Sequence, residues 1–210
     1  MSPDIHTVNA DWAWSPFEPG PENPWDRRLA AHLCRRAGFG ANSSELDAIV
    51  KMPPAEVVRQ IVQNAAAAAE SDPEVDPLAR AMLATGNPRN LAVWWLHQML
   101  NSSWSGEGAA AVSPLLEKLT LFWHGHFATS AAKVDDAEMM FAQNGMLRRH
   151  AVSNFGEMVH EIARDPAMLI YLDSATNRKI HPNENFAREI MELFCLGEGN
   201  YSERDIQELA

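Results

Sequence analysis

Pro114-Leu-Leu-Glu-Lys-Leu-Thr-Leu-Phe-Trp-His-Gly-His-Phe127 is apolar almost all the way round a helix, yet it carries Glu117, His124 and His126. Ser113 offers a hydroxyl cap, and Pro114 suits the first helical position. At about 100° per residue, Glu117 and His124 return to nearly one face, with Thr120 beside them. His126 points the other way, among Leu115, Leu119 and Phe122. A helix this greasy is expected to be buried, so its ionisable groups are paired or functional. One reading is a buried carboxylate–imidazole pair plus a histidine bonded to a backbone carbonyl. The other is a ligand or acid–base site.

Beyond this segment, the chain predicts helices and little else. A helix from Trp25 to Ala37 ends at Gly38, with Arg35 and Arg36 in its last turn. Ser43 or Ser44 caps a short helix to Lys51, and Pro53–Pro54 opens one that closes in the alanine run 65–69. A turn at 71–76 and a break at Gly86-Asn87-Pro88 flank a helix near 75–85. In 89–101, Leu91, Ala92, Trp95, Leu96, Met99 and Leu100 form one broad face, with Trp94 and His97 off it. The segment 102–111 reads as a small-residue loop. Helices come next at 135–151 and 154–164, with Asp165–Pro166 as a break, an apolar stretch 167–172 and a polar loop 173–182. Helices at 184–196 and from 203 complete the chain; Ser202 and Asp205 make a capping box. No alternating strand pattern, hairpin signal or repeat competes. The expectation is an all-α, irregular array of about eight to ten helices without a sheet.

Residues 1–24 read as an extended arm rich in proline, with Trp12, Trp14, Phe17 and Trp25 pinning it to the body. Residues 25–210 read as one helical domain. Ile206, Leu209 and Ala210 begin an apolar face with no helix stop after it, so the domain is expected to be truncated at its C-terminal end.

With 210 residues and 46% hydrophobic content, the chain can bury a sizeable core. Seven Trp and ten Met suit an adaptable interior or an interface. A net charge of −11 argues against nucleic acid as a partner. No secretory leader and no 18-residue apolar run is visible, so the expectation is a soluble cytoplasmic protein with no membrane span. Cys34 and Cys195 face apolar sides of their helices, as free thiols would in a reducing compartment.

Three further constellations bear on chemistry. In Asn183-Glu-Asn-Phe-Ala-Arg-Glu-Ile-Met-Glu192, the residues Glu184, Arg188 and Glu192 are spaced as an ion ladder. Phe186, Ile190, Leu193 and Phe194 form the apolar arc of the same helix. Glu189 and Glu192 could instead be metal ligands facing His124 across a bundle, but the Glu-x-x-His partner motif occurs only as Glu157…His160, on a polar face. Histidines two apart, like His124 and His126, share a metal only if the helix ends near Gly125. Arg35-Arg36-Ala-Gly-Phe-Gly40 has neither the Gly-Lys-Ser/Thr element of a P-loop nor a preceding strand; it reads as a helix stop. Arg148-Arg149-His150 is a second basic spot, expected to face solvent. Serine and cysteine nucleophile chemistry lacks its motifs.

Several segments together resemble one family. They are His32-Leu-Cys-Arg-Arg-Ala-Gly-Phe-Gly40, Glu117 to Ser130, Gln143-Asn144 with Leu147-Arg148, Ala163 to Leu169, Asn183 to Phe194, and Gly197-x-Gly-x-Tyr201. The pattern is similar to the bacterial domain-of-unknown-function family numbered 1800, over roughly residues 25–210. The resemblance implies no catalytic residue, since none is assigned in the family. It does imply a protein partner, because members are often encoded beside a sulfatase-like neighbour. This leaves two function classes. One is an accessory, partner-binding helical module. The other is a metal-dependent enzyme, hydrolytic or oxidative, drawing on Glu117, His124, His126, Arg188, Glu189 and Glu192, with a divalent metal as cofactor.

Overall fold

The computed structural model describes residues 14–71, 76–104, 112–180 and 182–210. Trp12, most of the predicted turn at 71–76 and most of the loop at 102–111 lie outside them. Eleven α-helices occur among the described residues, with no strand and a single isolated bridge, Gly20 to Asn23. They are α1 Arg27–Ala37, α2 Ser43–Ile49, α3 Pro54–Ala69, α4 Pro77–Leu83, α5 Leu91–Leu100, α6 Pro114–His126, α7 Ala137–His150, α8 Phe155–Ile162, α9 Pro166–Tyr171, α10 Asn185–Glu189 and α11 Glu203–Leu209. A π-helical segment, Ile190–Cys195, continues α10 directly.

Local chemistry sets most of these boundaries. Ser113 accepts the Leu116 amide and Pro114 opens α6. Asn42 and Glu45 form a capping box at α2, and Ser202 and Asp205 form one at α11. Each satisfies amides that the first helical turn leaves without partners. Asp165–Pro166 ends α8 and also starts α9, because the Asp165 carboxylate accepts the Met168 amide. The apolar stretch after it is therefore a helix, one more than the periodicity indicated. Six residues fix too few positions of a 3.6-residue period to show it.

The core is built round α6 and α7. Phe127, Met146, Leu147, Met158, Ile162, Met168, Leu172 and Phe194 form its largest buried cluster, drawn from α6 through the π segment. A second cluster, with Ala30, Cys34, Ile49, Val57 and Ile61, joins α1, α2 and α3. Gly38 lies where these parts meet. A Cβ there would come within 2.7 Å of Pro114 Cβ and 2.9 Å of the Trp104 ring, so close approach requires glycine.

Four expectations fail: α6 is covered on one side only, since Leu121 and Phe122 are 42% and 58% exposed, and three others fail for a plain physical reason. In α5 the buried residues are Leu91 and Trp94, whereas Leu96 and Leu100 are 55% and 74% exposed. This helix is apolar all round, so periodicity does not select a face. At Ile190–Cys195 the Leu196 amide bonds to the Met191 carbonyl, five residues back, at 2.9 Å. The wider turn rotates the side chains along it, so Leu193 and Cys195 are exposed although an α-helical wheel turns them inward. In the arm, Trp25 packs on the second cluster and lies 6.3 Å from the Phe17 ring, but Trp14 is exposed and pins nothing.

Candidate functional site

Glu117 is fully buried and does not pair with an imidazole. Arg148 grips it with both guanidinium nitrogens, Nη2 donating to Oε2 at 2.9 Å, and Trp95 Nε1 donates to the same oxygen at 2.8 Å. The basic spot at the end of α7 is thus not solvent-facing throughout. Arg149 is exposed, but Arg148 is an interior residue, set against the Trp94 ring at 5.6 Å. A forked guanidinium matches a carboxylate better than any single donor, which is how the helix holds a charge away from water.

Thr120 donates to the Leu116 carbonyl at 2.8 Å and is used up within its own helix. His124 Nε2 accepts from Asn144 Nδ2 at 3.1 Å, and its ring lies 4.7 Å from Trp95. Burial, reinforced by the charge of Arg148, lowers the His124 pKa from 6.5 to about 4, so the ring is neutral at physiological pH. His124 lines a cavity of about 350 Å³ with Trp94, Trp95, Thr129 and Asn144.

His126 faces elsewhere. Its Nε2 lies 2.9 Å from the Phe194 carbonyl in the π segment. A carbonyl only accepts, so Nε2 carries a hydrogen, and in the neutral ring Nδ1 is the acceptor. A histidine bonded to a backbone carbonyl, as one reading of the sequence had it, describes this contact well. Yet His126 also lines a larger cavity, of about 660 Å³, with Gly125, Lys133, Tyr171, Asn185 and Glu189.

The six residues singled out by the sequence therefore divide. His126 and Glu189 share the larger cavity, and His124 opens onto the smaller one. Glu117 is enclosed. Arg188 makes a two-armed bond to Glu203 at 2.9 Å and lies 3.5 Å from Glu184. Glu192 accepts from the Tyr201 hydroxyl at 2.6 Å, so the expected ladder stops one step short. Among the described residues no group of three or more His, Cys, Asp or Glu side chains converges to hold one ion.

Sequence reasoning passed over Arg148, Asn144, Trp95, Lys133, Tyr171 and Asn185. A signal existed for two of them. Asn144 and Arg148 are four apart and share a face with Phe141 and Gly145. A polar pair among apolar neighbours on a central helix is the natural complement of a buried Glu117.

The fold and these cavities define a many-helix α domain with polar groups threaded through its core. A family model described as "Protein of unknown function (DUF1800)" matches residues 32–210, and the chain belongs to that family. No curated protein and no solved structure matches it. Among the described residues no helix is long and apolar enough to cross a membrane.

Proposed function

We propose that this chain is an accessory helical module that binds a protein partner through the outer face of α5. The observation that supports it is the stripe Val93, Leu96 and Leu100, exposed by 59%, 55% and 74% and spaced to lie along one side of the helix. Large apolar groups aligned on a surface favour association, because contact removes them from water. The partner we propose is the sulfatase-like protein encoded beside members of the family. Two unpaired cysteines suit a reducing compartment, which supports a cytoplasmic placement.

Co-expression with that neighbour and gel filtration test the reading. Co-elution is expected. The double variant Leu96→Glu/Leu100→Glu should weaken it by at least about tenfold while the helical circular dichroism stays unchanged. A neighbour and a chain that always elute apart would end the proposal.

A metal-dependent hydrolytic or oxidative enzyme is the second reading, favoured by His126 and Glu189 facing one cavity. Two ligands are one fewer than catalytic zinc sites use, which places it second. Elemental analysis of protein purified without an affinity tag would promote it, should one metal per chain be found and then lost in His126→Ala.

A further inference from the structure

The larger cavity has a one-sided chemistry. Lys133 is on its wall, but Nζ lies 2.8 Å from the Asp173 carboxylate and so faces a partner of its own. Arg188, next in sequence to Glu189, is turned to Glu203 and Glu184. Among the described residues no cation pairs with Glu189, so its carboxylate is the one uncompensated charge lining the space. Of the neutral polar groups, His126 and Asn185 point the same way, while the Tyr171 hydroxyl can accept as well as donate. His126 donates its Nε2–H to the Phe194 carbonyl, so in the neutral ring Nδ1 can only accept. Asn185 directs its amide nitrogen to the Leu172 carbonyl at 3.2 Å, leaving its side-chain oxygen to accept. Leu193 and Phe194 add apolar surface.

Gly125 supplies a second, independent indication. Its φ is not positive, and a Cβ built on it would meet no atom within 4 Å. Neither backbone conformation nor packing calls for glycine there, and glycine weakens a helix relative to alanine. The missing side chain leaves the cavity wall bare at this point.

We propose that this cavity binds a primary ammonium group carried on a short apolar stem, the ammonium at Glu189 and the stem against Leu193 and Phe194. The site is separate from the α5 surface and does not depend on partner binding. A cation facing a carboxylate, with neutral acceptors round it, satisfies both charge and hydrogen-bond valence; an anion would satisfy neither.

Isothermal titration of the full chain with phenethylamine, in EDTA at neutral pH, tests this. 2-Phenylethanol and 3-phenylpropionate are the uncharged and anionic controls. Phenethylammonium should bind one to one, with both controls at least tenfold weaker. Glu189→Gln should weaken the amine at least tenfold, and Gly125→Trp should abolish its binding with the circular dichroism unchanged. The proposal is overturned by absence of amine binding at millimolar concentration, by equal binding of the alcohol or the acid, or by amine binding that survives Glu189→Gln.

Discussion

Arg148–Glu117 and Arg188–Glu203 are the same two side chains joined by the same two-armed grip in opposite surroundings. The first pair is shut between α6 and α7, its carboxylate wholly out of water. The second joins the end of α10 to the start of α11, with Glu203 mostly exposed. In water the attraction competes with solvation and with salt, and the long side chains lose freedom to hold one geometry. In the interior neither competitor is present, but each partner depends on the other, because a lone buried charge has nothing to replace the water it gave up. Similar geometry therefore has different consequences. Breaking the buried pair strands a charge in the interior, whereas breaking the exposed one returns both groups to water. The exposed pair also holds the Glu203 carboxyl below its usual range through the hydrogen bond from Arg188.

Removing one buried partner is the severest test of this contrast. Glu117→Leu or Arg148→Met alone should cost about 3–5 kcal/mol of unfolding free energy in urea. The double variant should recover most of that loss, since no orphan charge remains. Equal losses for the single and double variants would mean that shape, and not charge pairing, matters at this position.

His124 gives the next largest effect. Between pH 6.5 and about 4 the unfolded chain holds a proton on this ring that the native state refuses. Stability therefore falls as pH drops through that window and levels off below it, with a slope of about 1.4 kcal/mol per pH unit at most. In His124→Gln that contribution to the slope should vanish from denaturation curves taken at pH 7, 6 and 5. An unchanged slope would show that the ring is open to water in solution.

Arg188→Gln should give the smallest effect, a denaturation midpoint within error of the wild type at 0.5 M salt. A clear loss there would make the α10–α11 contact depend on charge, and would erase the distinction between the two pairs.

Much of the fold is legible in the sequence. Ser113–Pro114, the Ser202/Asp205 box and Asp165–Pro166 act within one helical turn, so the signal and the structure it controls are neighbours in sequence. The candidate site was legible only in part. His126 and Glu189 stood out as polar residues on amphipathic or buried helices, but their meeting in one cavity joins residues 63 positions apart in sequence. Arg148 was misread because three consecutive basic residues at a helix end look solvated, and only the arrival of α6 turns one of them inward.

The order of residues alone thus established the all-α class, several of the helix starts, and that a carboxylate would be buried in the middle of the molecule. Those are consequences of local hydrogen bonding and of apolar content. Tertiary packing selected which side of α5 is covered, that Glu117 takes a guanidinium and not an imidazole, and how the π turn re-aims Leu193 and Cys195. Each of these depends on which surfaces meet across the chain, and a helix that is apolar on every side carries no local record of that choice.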